Sequence, residues 1–376
     1  MSSRRANEKS AGLKRASSRL TLHSGCLLTA VCLTGCWGRA PVAGDRGWDG
    51  NQPLDRAVVV YSALDREFAE PVLRDLTRKA DLVLRAKFDV ESTKTVGLTN
   101  TLIAEAVSPR CDLFWNNEIL STIRLQEKGL LQPFEPKHAA AVPSAWKDPK
   151  GQWYGFAGRA RILLVNTQEV AESERPTGIL DLVNPRWKGK IGIAKPLFGS
   201  TATQAACLFA AWGEVRAKNY FRDLKANGVH VLSGNKQVAT AVGSGQIAFG
   251  LTDTDDAMGE VDAGSPVVIV YPDRQPGELG TLFLPNTLCM IKGAPHPAAA
   301  RRLADVIVSP EVESALAAGP SAQIPLLEGT KKPARVETPA TVTPMAVDFT
   351  AAAKLWDRAA AFLLAEYADY TPRVPD

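Results

Sequence analysis

The sequence predicts an α/β protein built as two doubly wound lobes joined by crossover strands. Three observations predict it. Short β-branched or apolar runs are followed repeatedly by segments of helical periodicity, the alternation that yields parallel strands covered by helices. At 376 residues the chain is longer than a single core usually sustains. Two apolar stretches, 158–166 and 279–291, are long enough to carry the chain from one lobe into the other and back.

Charge is concentrated at the N-terminus. Residues 1–35 hold six basic residues and one acidic residue, so they account for more than the whole formal charge of +4. The remainder is close to neutral, which excludes a nucleic-acid footprint on the body of the protein. The apolar content of 45% is that of a soluble globular protein. A basic region to Arg19 followed by an apolar stretch too short to span a bilayer reads as a signal peptide. It ends in Leu33-Thr34-Gly35-Cys36, which resembles the bacterial lipobox. That resemblance implies a signal peptide over 1–35, a lipid on Cys36 that anchors the protein to the membrane, and a tether over 36–56 rich in Gly, Pro and charge. Cys111, Cys207 and Cys289 then remain. Odd in number, widely spaced and set among apolar residues, they read as buried free thiols, with one disulfide among them left open.

The body opens with a buried strand at 57–61 and an amphipathic helix that follows Ser62 and Asp65. Pro71 is expected in the first turn of that helix, where a missing N–H costs little. A strand at 82–90 leads through Glu91-Ser92-Thr93-Lys94-Thr95 into a helix at 96–107. The hydroxyls of Thr93 and Thr95 either cap that helix or, with Lys94, hold an anion at its N-terminus. A strand at 112–115 runs through Asn116-Asn117-Glu118 into a helix closed by Gly129. The first crossover carries Arg159 and Arg161. Beyond it come a strand at 191–194 and a helix opened by Gly199-Ser200-Thr201, then a helix at 217–227, a strand at 229–232, Gly234-Asn235 and another helix. A strand at 247–251 delivers Asp253, Asp255 and Asp256, interleaved with Thr252 and Thr254. A strand at 266–271, the return crossover, helices at 297–308 and 310–318, a Pro/Thr-rich loop over 328–348 and a helix at 351–367 complete the chain. The lobes are assigned as 57–158 plus 278–326 and 159–277 plus 327–376. Each polar loop follows a strand and precedes a helix, so all face one crevice at the strand ends where open α/β sheets bind ligands.

Enzymatic chemistry finds no support. No GxSxG, HExxH or GxxxxGK motif occurs, and His138 and His296 are expected at the surface, so no base stands ready for a nucleophile.

The motif order VVVYSALDRE (58–67), DLFWNNE (112–118), GFAGRARILLVNT (155–167), DLVNPRWKGKIGIAKP (181–196) and GNKQVATAVGSGQIAFG (234–250), with PLLEG near the end, resembles the type II periplasmic solute-binding proteins of ABC importers. Within them it is similar to the ferric-ion-binding group, over roughly residues 57–330. The resemblance implies a monomer on the periplasmic or outer face of the membrane. It also implies a permease and its ATPase as partners, no cofactor, and one ligand closed between two lobes. The family pattern of a histidine, a glutamate and two adjacent tyrosines falls here on Asp65, Glu118, Asp255 and Asp256; only the glutamate is kept. The family's companion-anion positions fall on Ser200, Thr201 and Asn235, with Arg159 nearby. Ser62, Thr93, Thr95 and Asp253 complete the set of candidate ligand contacts.

The carboxylates then decide the expected cargo. Converging without a cation they would repel one another, and all-oxygen ligation suits a hard ion, with Fe3+ implied by the resemblance. Two alternatives stay open. One is a small organic solute such as a phosphonate, sugar phosphate or amino-acid-like zwitterion, with its anionic end at the hydroxyl loops. The other is a sensor lipoprotein without a transport role. Asp255 and Asp256 acting only as helix caps would leave the coordination idea empty.

Overall fold

The computed structural model describes residues 56–89, 96–331 and 333–370. Cys36, Thr93, Thr95, the expected signal peptide and nearly all of the expected tether lie outside the described residues. The β-branched run of β1 (Ala57–Ser62) sits between β2 (Val83–Phe88) and β3 (Leu113–Asn116) and pairs in parallel with both. Parallel pairing needs crossovers, and α1 (Arg66–Lys79) and α2 (Val96–Ala104) supply them, with α3 (Ile119–Glu127) following β3. Pro71 falls in the second turn of α1 rather than the first, because the helix already begins at Arg66, with Asp65 at the N-cap position.

The second half repeats the pattern. Strand β6 (Ile191–Ala194) pairs in parallel with β7 (His230–Leu232) and β8 (Phe249–Asp253). Helices α4 (Gly199–Trp212), α5 (Glu214–Ala226), α6 (Asn235–Gly243) and α7 (Thr254–Asp262) surround them. Gly192 and Gly250 are opposite each other in this pairing, where a Cβ would run into Ile247 or Val238.

The two halves meet through β5 (Trp153–Asn166) and β10 (Phe283–Ile291), which are antiparallel neighbours. Every residue of both strands is buried, and apolar residues make up most of each. The second part of β5 leaves β10 and pairs with β8 and with β9 (Val267–Val270). With β4 (Leu131–Gln132) on β10, the sheet runs β2-β1-β3-β10-β5-β8-β6-β7. The first crossover begins earlier than expected and the return begins later, so the long paired section lies at 153–160 and 283–289.

Helices α8 (Pro297–Ile307) and α9 (Pro310–Ala318) contribute to the core of the first half. The last helix, α10 (Phe349–Tyr367), packs on both halves: Trp356 lies under Arg124 of α3 and Phe362 beside Phe209 of α4. Cys111, Cys207 and Cys289 are buried free thiols. His296 is not a plain surface residue, since its Nδ1 lies 2.9 Å from the buried carboxylate of Asp112. No helix among the described residues is long and apolar enough to cross a membrane.

One buried carboxylate makes this fold sensitive to pH. Glu313 of α9 accepts the backbone N–H groups of Ala157 (2.7 Å), Leu326 (2.5 Å) and Leu327 (3.2 Å). Burial nonetheless pushes its pKa up to about 7. The folded value exceeds the unfolded one, so the folded state holds the proton more tightly and stability falls as pH rises through that window. The slope approaches about 1.4 kcal/mol per pH unit at its steepest. Urea midpoints measured between pH 5 and pH 8 are expected to fall with pH and to fall less steeply in Glu313→Gln. Parallel profiles would remove Glu313 as the cause.

Candidate ligand-binding site

A cleft of about 380 Å³, counting its open mouth, lies at the C-terminal ends of β6, β7 and β8. Arg159 enters it from β5 and Asn117 from the loop after β3. Three helices, α4, α6 and α7, begin at its wall, and none has a side-chain cap at its N-terminus. Uncapped N-termini offer free amides and roughly half a positive charge each. Gly199 turns the chain into α4 with φ +56, a left-handed angle that a side chain would strain although there is open space for one.

Beneath the cleft wall sits a fully buried arginine. Arg161 donates from Nε to Gln204 (2.9 Å), from Nη1 to Ser200 Oγ (3.2 Å), Asn235 Oδ1 (3.0 Å) and Asp253 Oδ1 (2.7 Å), and from Nη2 to Thr201 Oγ1 (3.2 Å). The other oxygen of Asp253 accepts from Arg159 Nε (3.1 Å), Ser200 Oγ (2.5 Å) and Asn235 Nδ2 (3.1 Å). Burial alone would raise the pKa of Asp253, but Arg161, Arg159 and the Ser200 hydroxyl outweigh it and hold the carboxyl below its ordinary value. Arg159 is itself buried, and its Nη1 meets no acceptor among the described residues. Desolvation of its charge is outweighed by Asp253, Asp255 and Asp256, so it stays protonated.

This geometry corrects the expected convergence of four carboxylates on a cation. Asp253, Asp255 and Asp256 do come together, with oxygens within 4.8 Å of one another, but two guanidinium groups already supply the opposing charge. Glu118 is not on the cleft. It is the N-cap of α3, accepting from the backbone N–H of Leu120 (2.6 Å) and Ser121 (2.9 Å), and from Thr203 Oγ1 of α4 (2.9 Å). Asn117, one residue earlier, lines the cleft instead. Asp65 is half-buried at the start of α1 and outside both the cleft lining and the carboxylate cluster. Ser62 is buried with its hydroxyl toward the carbonyl of Leu64 at 3.5 Å, and Thr201 serves Arg161 from below the lining. Ser200, Asn235, Arg159, Asp253, Asp255 and Asp256 do line the cleft. Arg161, Gln204 and Asn117 were not singled out as contacts by sequence reasoning. Arg159 and Arg161 are two apart on a strand, so both side chains face one way, and that period was the available signal.

Beside the cleft two contacts tie the halves together: Glu118 with Thr203, and Glu67 of α1 with Lys236 of α6 at 2.9 Å.

A family model described as bacterial extracellular solute-binding protein matches residues 106–353. The chain belongs to that family. Within this solute-binding family it resembles the ferric-binding group. It is 23% identical over 197 residues to the Fe(3+)-binding periplasmic protein of Serratia marcescens, covering 52% of this chain and 56% of that one. The chain thus spans about half the length of this relative and of the major ferric iron-binding proteins of Neisseria. It is 24% identical over 330 residues to iron uptake protein A1 of Synechocystis, covering 84% of this chain and 89% of that one. Among solved structures, iron-bound HitA from Pseudomonas aeruginosa matches with a TM-score of 0.74 at 20% identity, over 82% of this chain and 98% of that one. AfuA from Actinobacillus pleuropneumoniae, with exogenous fructose-6-phosphate bound, matches with a TM-score of 0.73 at 20% identity, over 84% and 99%. At these identities the structural likeness establishes the fold alone.

Proposed function

We propose that this solute-binding protein captures a small organic anion, of the phosphorylated polyol or sugar class, for an ABC permease and its ATPase. The observation that carries the reading is the buried Arg159 guanidinium, which lines the cleft with Nη1 lacking an acceptor among the described residues. A buried charged donor of this kind calls for an anionic acceptor. The uncapped starts of α4 and α6 add amides suited to the same phosphate-like group. Asp255, Asp256 and Asn117, on the same cleft, suit the hydroxyl or amine end. In this reading the protein is no enzyme. It is a monomer held to the periplasmic or outer face by lipid on Cys36, and its lobes, 57–158 plus 278–326 and 159–277 plus 327–376, close on the ligand.

A second reading, Fe3+ as cargo, draws support from the iron-binding names of several relatives and from the carboxylate cluster. Against it, both oxygens of Asp253 are already engaged by arginine, and among the described residues no tyrosine lines the cleft. Titration calorimetry with fructose 6-phosphate, inorganic phosphate and ferric citrate tests the two. Tight uptake of the sugar phosphate is expected. Binding of ferric citrate alone would replace the organic-anion reading with the ferric one.

A further inference from the structure

Three buried side-chain atoms have no partner among the described residues, on side chains that neighbour one another around β10: Trp115 Nε1, Asn286 Oδ1 and Gln323 Nε2. Trp115 of β3 is opposite Leu288 of β10, two residues from Asn286, so Trp115 and Asn286 share a face as diagonal neighbours. The Trp115 ring lies 5.1 Å from that of Phe156, and Phe156 is the strand partner of Asn286. Gln323 Oε1 accepts from Asn286 Nδ2 at 2.8 Å, and the same Nδ2 donates to the carbonyl of Ala157. Those two bonds fix both amides, since turning either one would set like groups against each other. What remains is two donors and one acceptor, on side chains at most 1% exposed. Leaving such groups unmatched costs about 1–3 kcal/mol each.

We propose that these three atoms form a site for one neutral hydroxyl oxygen, which accepts from Trp115 Nε1 and Gln323 Nε2 and donates to Asn286 Oδ1. A hydroxyl has the two lone pairs and the proton this requires; a phosphate oxygen lacks the proton and an ammonium lacks the lone pairs. The oxygen comes from a polyol ligand or from a resident water. Asn286 binds the carbonyl of Ala157, two residues along β5 from Arg159, which lines the cleft. The ligand source rests on the function proposed above; the site itself does not.

Crystal structures of the protein alone, with inorganic phosphate and with fructose 6-phosphate test this. An oxygen within hydrogen-bond distance of all three atoms is expected. If it belongs to the sugar in the third crystal, the site reads the ligand; if it is a water in all three, the site is filled by a resident water. No oxygen in any of them, or one that reaches fewer than two of the atoms, overturns the proposal. Should fructose 6-phosphate fail to bind, the functional reading fails while the ligand-free crystal still decides the site. Gln323→Leu and Trp115→Phe each remove one donor and keep the bulk. If the ligand fills the site, each lowers fructose 6-phosphate affinity roughly tenfold and leaves inorganic phosphate unchanged. If a water fills it, each lowers the melting temperature and spares affinity. Variants unchanged in both respects also overturn it.

Discussion

Asp253→Ala is expected to cost about 3–5 kcal/mol of folding free energy, the range for removing one partner of a buried ion pair. Two guanidinium groups depend on this carboxylate, Arg161 fully buried and Arg159 only 2% exposed. Without it, Arg161 keeps Gln204, Ser200, Asn235 and Thr201, all neutral acceptors, and it is sealed from bulk water. The measurement is urea unfolding at pH 7, and a loss below about 1 kcal/mol, the size of an exposed pair, would mean the network carries no such charge. The pH dependence has a defined sign. The folded pKa of Asp253 is depressed, so its contribution is present above the ordinary carboxylate value and is lost as pH falls through the folded value. The gap between wild type and variant should therefore persist from pH 5 to 8 and narrow only in acid.

Much of the fold was legible in the sequence because the strands are apolar or β-branched and their helices amphipathic. The site was legible only in part, and strand ends explain most of the difference. The family pattern made Glu118 a ligand, and β3 was expected to end at 115. The strand continues to Asn116, which places Asn117 on the cleft and leaves Glu118 at the N-cap, where its oxygens are taken by backbone amides. Reading β8 as ending at 251 left Asp253 in a loop with Asp255 and Asp256. It is the last residue of the strand, opposite Arg161 of β5, and that pairing gives its carboxylate a buried guanidinium partner. The bond between Arg161 and Asp253 joins positions 92 residues apart, a distance over which a single sequence gives no sign of contact. The motif order carried the family, but it did not carry the charge balance inside the cleft.

Arg159→Met separates the two candidate cargoes, because its effect on them has opposite signs. Asp253 would keep Arg161, Ser200 and Asn235, so the fold should survive with a modest loss. For a phosphorylated ligand the change removes a buried cation that lines the cleft with a donor unpaired among the described residues. Truncating one partner of such a charge pair costs about 2–5 kcal/mol, roughly 30-fold to several thousandfold in affinity. Fructose 6-phosphate and inorganic phosphate should weaken together, unlike the Gln323→Leu variant, in which only the sugar is affected if its hydroxyl fills that site. For a ferric ion the same change removes a repelling charge beside Asp253, Asp255 and Asp256, so iron affinity should rise. Calorimetry with both ligands on one variant reads the difference directly. Retention of sugar-phosphate affinity within about threefold, well short of the loss expected for a charged contact, would sink the role of Arg159 and the anion reading with it.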